Sequence, residues 1–393
     1  MSGRPGVLIA GAGLAGVRTA QTLRKLGYYG RIRLLSEEQE YPYDRPPLSK
    51  DFLAGRSDSD AIRLRHPADY AADDIELLLG TRATGLDPGS RTLRTEDGTE
   101  LGYDWLVVAT GARARVLPAL PPGPARHYLR TADDARRLSR ALRPGRRVAV
   151  VGGGFIGLEV AATATSRGCS VTVVEAVGLP LAGVIGPRAA QWVQSWHEER
   201  GVRFRCGTPV SGVADGADGQ RLLLADGSRL VADEVVVGAG IARDTQWLAA
   251  GGLTVHHGLV CDLAGRASAD GVLGAGDIAC VHAADGCRPV GHWTAATESA
   301  ARAARTITGD ATEPAASDEF FWSDQGALRL QFAGQAGPDA VATVDAGSLE
   351  SGAFVLLYTD SGGLSGVFAA NSPRDFLRGR VALRAAAQAR VRA

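Results

Sequence analysis

Two doubly wound α/β domains followed by a smaller α+β domain are what this sequence predicts. Three observations predict them. A glycine-rich strand–turn–helix pattern occurs twice, a hairpin and an apolar strand recur at matching places after each copy, and roughly the last 80 residues change to strand-like alternation.

The first copy runs Val7-Leu-Ile-Ala-Gly11-Ala-Gly13-Leu-Ala-Gly16, then a helix-like stretch from Val17 to Leu26, a second apolar strand from Ile32 to Leu35, and Glu37. In a G-x-G-x-x-G turn of this kind Gly11 permits the tight bend, Gly13 lets a pyrophosphate approach the backbone, and Gly16 lets helix pack on sheet. Glu37 is placed to accept hydrogen bonds from a ribose. The second copy is Val148-Ala-Val-Val-Gly152-Gly-Gly154-Phe-Ile-Gly157, with a second strand Val171-Thr-Val-Val that ends on Glu175. Downstream of the first lie two short strands about the Asp97-Gly98 turn, then Asp104-Trp-Leu-Val-Val-Ala-Thr110-Gly111. Downstream of the second lie two about Asp226-Gly227, then Asp233-Glu-Val-Val-Val-Gly238-Ala-Gly240. Asp-Gly between alternating segments signals a hairpin. The repeat predicts two Rossmann-like dinucleotide-binding domains.

Gly271 to Asp277 is too short for a third unit and is expected to return to an existing sheet. The first domain is therefore expected to be discontinuous, 1–112 and 239–312, with the second at 113–238 and the C-terminal α+β domain at 313–393. The spans from Ala112 to Gly123 and Gly309 to Ser317 read as connectors. The last domain reads as strands at Ala327 to Phe332, Val341 to Val344, Phe354 to Tyr358 and Leu364 to Ala369, ending in a basic helix.

Composition narrows the function classes. The 393 residues are 45% hydrophobic and 22% charged, as in a globular protein, without a membrane-length apolar run or a cleavable leader, so a cytoplasmic location is expected. A formal net charge of zero gives no polyelectrolyte signature for nucleic acid or acidic lipid, so neither is expected as a partner. Five cysteines without a C-x-x-C fit free thiols in a reducing compartment. Cys280, His282 and Cys287 match no common zinc spacing, and no metal is expected. Only Lys25 and Lys50 break an otherwise all-arginine set of 43 basic residues, which draws attention to both.

The most specific motif is Tyr43-Asp-Arg45-Pro-Pro-Leu-Ser-Lys50. It is supported by Ala109-Thr-Gly111-Ala-Arg, Tyr128-Leu-Arg130-Thr, Gly152 to Glu159, Gly274-Ala-Gly-Asp277, His292-Trp293-Thr and Phe321-Trp322-Ser-Asp324-Gln. On these residues the whole chain resembles the FAD-dependent, NADH-using ferredoxin reductases of bacterial oxygenase systems. The resemblance implies that the first copy binds FAD through Gly11, Gly13, Gly16, Glu37, Arg45, Lys50, Thr110, Arg130, Asp277 and Trp293. The second binds NADH through Gly152, Gly154, Gly157, Glu159 and Glu175, while Ala15, Ala83, Gly111, Ile156 and Gly240 complete the cofactor-binding set. It implies a [2Fe-2S] ferredoxin as partner and leaves monomer and homodimer open. Gly291 and Gly326 depart from the family, which usually has an acidic and an aromatic residue at these positions.

Lys50, Glu159 and Trp322 are the candidate catalytic residues. A fixed cation at Lys50 would stabilise negative charge on the reduced flavin. Glu159 either complements a helix N-terminus or, as the resemblance has it, pairs with Lys50 and orients the nicotinamide. Glu175 favours NADH by repelling the extra phosphate of NADPH, and Ala176 to Gly183 holds no arginine to bind that phosphate. Trp322, beside Phe320 and Phe321, is either the apolar seed of the last domain or an electron route. Disulfide reductases share this architecture, but Ser36 to Phe52 lacks the cysteine they need, and Cys169 reads as core. An NADH oxidase, a rubredoxin reductase and a redox-responsive signalling protein are the alternatives. Residues 371–393 carry six arginines against Asp375, a local basic patch suited to an acidic ferredoxin.

Overall fold

A computed structural model describes residues 6–283, 286–289, 291–310 and 320–392. The chain divides into two compact units. The first comprises 1–44, 59–113 and 242–317, and the second 45–58, 114–241 and 318–393.

The first unit is built on a parallel five-stranded sheet in the order Val272–Gly274, Trp105–Val108, Val7–Ala10, Ile32–Leu35, Ile75–Leu78. Its central strand is apolar throughout because both faces are covered, the usual state of a parallel sheet. Val7 and Ile9 pack toward Ala20, Leu23, Ala300 and Ala303, while Leu8 and Ala10 pack toward Leu93, Tyr103, Trp247 and Leu248. The segment from Gly271 does return to this sheet, as its edge strand.

The second unit repeats that sheet, with Arg126–Tyr128, Glu234–Val237, Arg147–Val151, Ser170–Val174 and Arg203–Arg205 in the corresponding order, again all parallel. The first-named edge strand, Val272–Gly274 in one unit and Arg126–Tyr128 in the other, differs in origin. It comes late in the chain in the first unit and early in the second.

The two predicted hairpins are each three-stranded antiparallel sheets, because Ala83–Asp87 and Val210–Gly216 add a strand. Both added strands carry a register shift at a glycine, Gly85 and Gly212, which breaks the alternation that would have marked them. The C-terminal sheet has five antiparallel strands, Phe320–Gln325, Leu328–Gly334, Gly363–Ala370, Ala353–Asp360 and Val341–Ser348 in spatial order, with the helix Pro373–Arg392 packed on it. Phe320–Gln325, where the sequence suggested an apolar seed or an electron route but no strand, is a strand.

Two expectations need correction. Residues 45–58 were expected with the first nucleotide unit but cluster with the second, held there by Arg167, which donates to Leu53 O at 2.7 Å, and by Thr163, which donates to Ser49 O at 2.9 Å. The cysteines are not all free. The hairpin of Ala279–Ala283 and Gly286–Pro289 brings Cys280 and Cys287 to a Cα separation of 5.6 Å, within disulfide range, and they are joined. Most of the connector expected at Gly309 to Ser317 lies outside the described residues. Among the described residues no group of three His, Cys, Asp or Glu side chains could hold a metal, and no helix is long and apolar enough to cross a membrane.

Candidate functional site

In the first unit the loop after Val7–Ala10 enters the helix Leu14–Lys25 with Gly13 as N-cap, and no side chain caps the helix. Gly11 has φ +113°, and a Cβ there would lie 2.2 Å from Ala109 O, so only glycine fits the turn. A Cβ on Gly16 would sit 1.9 Å from Gly11 O, whereas one on Gly13 would meet nothing within 4 Å. The loop is therefore closed against sheet and helix and open at Gly13, where the uncapped N–H donors of the first turn are suited to an anion.

Asp277 follows the edge strand at the same C-terminal end of the sheet, where Gly276 abuts Ala15. Thr110 and Gly111 follow Trp105–Val108. Trp293 opens the helix Trp293–Thr308, which packs on Leu14–Lys25, and its Nε1–H donates to Asp44 at 3.1 Å. Glu37 is half-exposed and paired with Arg113 at 3.0 Å and Arg82 at 3.6 Å. Ala83 begins the first strand of the small antiparallel sheet.

The second unit repeats the loop. Gly152 has φ +106°, a Cβ on Gly157 would lie 2.0 Å from Gly152 O, and Gly154 is an open N-cap to the helix Phe155–Ser166. Ile156 is exposed on the first turn. Glu175 folds back onto this loop, accepting from Gly153 N–H at 2.6 Å and Val177 N–H at 3.1 Å. Gly240 follows Glu234–Val237 with φ +92°.

One turn into that helix lies Glu159, 5% exposed. Lys50 Nζ is 2.8 Å from its Oε2, and the ammonium also donates to Pro46 O at 2.9 Å. Two prolines stiffen the 3₁₀ turn Pro46–Ser49 that delivers the lysine. An ion pair this buried requires each charge to satisfy the other, since removing one leaves the other uncompensated at several kcal/mol. Arg45 donates to Arg130 O at 2.6 Å, so the predicted residues Arg45, Lys50 and Arg130 all belong to the second unit.

The pleat of Phe320–Gln325 turns Phe321, Ser323 and Gln325 to a buried face and Trp322 to the opposite one. Phe321 meets Phe155 at 4.8 Å, Ser323 donates to Glu159 at 2.7 Å, and Trp322 stacks on Phe320 at 6.0 Å. Trp322 thus shares a strand with the Glu159 contacts but not their side. Sequence reasoning missed Ser49, Ser323 and Gln325, although all three lie within quoted motifs, and missed Asp44, Arg82 and Arg113.

The open glycines and uncapped helix ends fit two dinucleotide pyrophosphates, one per unit. Two parallel sheets of one strand order, each with such a loop, define a protein that handles two dinucleotides. Residues 5–303 match the family model described as pyridine nucleotide-disulphide oxidoreductase, and 320–393 match the one described as reductase C-terminal. The chain is 35% identical to putidaredoxin reductase of Pseudomonas putida over 96% of this chain and 91% of that one. It is 36% identical to the ferredoxin–NAD(+) reductase subunit of the benzene 1,2-dioxygenase system of Pseudomonas putida, over 94% and 90%. Among solved structures, the reductase in the covalent putidaredoxin reductase–putidaredoxin complex superposes with a TM-score of 0.91 at 34% identity, over 97% of this chain and 93% of that one. The chain belongs to the pyridine nucleotide-disulphide oxidoreductase family, with the reductase C-terminal domain, and its cofactors are FAD and NAD(H).

Proposed function

We propose that this protein carries electrons from NADH through FAD to a [2Fe-2S] ferredoxin that serves an oxygenase, and that it does so in the cytoplasm. FAD, when bound, takes two electrons from NADH and can pass them on singly, as an iron–sulfur acceptor requires. The protein's residues bind, orient and supply charge. The loop Gly11–Gly16 with Thr110, Gly111, Asp277 and Trp293 holds FAD, and the loop Gly152–Gly157 with Ile156 holds the NADH pyrophosphate. Glu175 accepts from a ribose hydroxyl and repels a 2′-phosphate. Glu159 fixes the Lys50 ammonium, which lends positive charge to the flavin on reduction.

The observation that carries this reading is the buried Lys50–Glu159 pair at 2.8 Å. It ties the Pro46–Lys50 motif to the first turn beyond the second glycine loop, a link that dinucleotide binding alone does not require. Thiol chemistry is less well supported. The free cysteines Cys169, Cys206 and Cys261 are all raised by burial, Cys261 to about 12, which disfavours the reactive thiolate. Assaying the pure protein with NADH against [2Fe-2S] ferredoxins and rubredoxins tests the proposal. Turnover with a ferredoxin supports it, and turnover with rubredoxins alone, or only a long-lived reduced complex with no turnover, replaces it.

A further inference from the structure

The helix Pro187–Glu198 buries Ala189, Ala190, Val193 and His197 along one stripe. His197 is a polar residue in an apolar row, with no exposed surface. Its Nε2 lies 2.7 Å from Gln325 Oε1, Gln325 Nε2 lies 3.1 Å from Ser323 Oγ, and Ser323 Oγ lies 2.7 Å from Glu159 Oε1. Gln325 and Ser323 are likewise wholly buried. The other carboxylate oxygen, Oε2, receives Lys50 Nζ at 2.8 Å and the hydroxyl of Ser49.

The direction of this chain follows from counting protons. An ionised carboxylate only accepts, so the single hydroxyl proton of Ser323 goes to Glu159. Ser323 Oγ must then accept from the Gln325 amide N–H. That orients the amide, leaving its oxygen to accept from His197 Nε2–H. Three donors point one way and end on one anion, an arrangement in which each bond polarises the next. Burial lowers the His197 pKa from its ordinary 6.5, which favours the neutral ring, and Nδ1 has no hydrogen-bond partner among the described residues. An apolar set of equal volume would hold helix and sheet together at least as well. The polar chain therefore needs a reason beyond packing.

We propose that Ser323, Gln325 and His197 are positioning residues that hold the Glu159 carboxylate in place, and through it the Lys50 ammonium, so that the C-terminal sheet sets the charge at the reductase site. This rests on the roles given above to Lys50 and Glu159. Ser323 acts directly on the carboxylate, Gln325 acts through Ser323, and His197 acts through Gln325.

The chain's two lysines supply the test. In the FAD-loaded protein without NADH, amine acylation is measured at Lys50 relative to Lys25 by peptide mass spectrometry. An ammonium held 2.8 Å from a firmly placed carboxylate is withheld from acylation, so loosening that carboxylate frees Lys50 to react. Glu159→Gln and Ser323→Ala should each raise the Lys50:Lys25 ratio, Ser323→Ala by up to roughly tenfold. Gln325→Met should act in the same direction less strongly and reports even if Ser323→Ala fails to fold. In a Glu159→Gln background Ser323→Ala should add nothing, whereas a purely structural loosening would add its own effect. A ratio that Glu159→Gln raises but Ser323→Ala and Gln325→Met leave unchanged overturns this inference. A ratio unmoved by Glu159→Gln overturns the Lys50–Glu159 reading beneath it.

Discussion

The two glycine loops have almost the same backbone and different side chains around them. At the turn φ is +113° for Gly11 and +106° for Gly152, and an added Cβ would lie 1.9 Å from Gly11 O at Gly16 and 2.0 Å from Gly152 O at Gly157. The acids that follow the second strands diverge. Glu37 is turned toward the arginines at 82 and 113, while Glu175 is drawn onto its own loop by Gly153 N–H. The helices diverge as well. Two residues after the third glycine, the first has Arg18, partly exposed and donating to Gln21 at 2.9 Å, and the second has the buried Glu159. The backbone repeat supplies a phosphate cradle twice. In the proposed reading the side chains decide which nucleotide enters each cradle, and only the second carries the buried Lys50–Glu159 pair.

The largest expected effect separates the two cradles. Gly16→Val pushes a side chain into Gly11 O and should give a colourless protein with no retained FAD. Gly157→Val should leave the protein yellow and weaken NADH binding by up to roughly 100-fold, the upper range of an overpacking cost. Flavin absorbance and NADH titration check both. Loss of FAD from Gly157→Val with retention in Gly16→Val would reverse the assignment of the loops.

Next comes the charged centre. Lys50→Met should retain FAD and slow NADH-driven flavin bleaching in a single turnover by roughly 100-fold, the scale on which one preorganised donor acts. An unchanged rate would make the lysine an incidental partner of Glu159.

Much of this contrast was legible in the sequence, for local reasons. The glycine spacing, the apolar strands and the acids after them are set by steric and burial rules that act over a few residues, so both parallel sheets could be read. The assignment of 45–58 could not, because it depends on contacts from Thr163 and Arg167 more than a hundred residues away. Strands at 83–87 and 210–216 were hidden by glycine bulges. His197 has only a weak signal, a polar ring in an apolar helical stripe, since its partner Gln325 is brought to it by the tertiary fold. The Cys280–Cys287 bond required knowing that a hairpin joins their strands.

A smaller effect sharpens the comparison of the acids. Glu175→Ser combined with Ala176→Arg should narrow the preference for NADH over NADPH by roughly tenfold, by removing repulsion and supplying a phosphate partner. Steady-state kcat/KM with each cofactor measures it, and a wild-type preference for NADPH would refute the role given to Glu175. The smallest effect lies on the helix Pro373–Arg392, where Arg378 is paired with Asp375 at 2.7 Å and Arg380 lies over Phe320 at 4.3 Å. Ferredoxin reduction should fall a few-fold between low and physiological salt, where the screening length is about 8 Å. Reduction of a small neutral acceptor should not change.

Anaerobic titration of the purified yellow protein with NADH, followed by addition of oxidised [2Fe-2S] ferredoxin, addresses the central claim most directly. The flavin band should bleach with one equivalent of NADH per FAD and return as the ferredoxin is reduced, two ferredoxins per flavin. Bleaching that ferredoxin cannot reverse, or a flavin that NADH does not bleach, would contradict it.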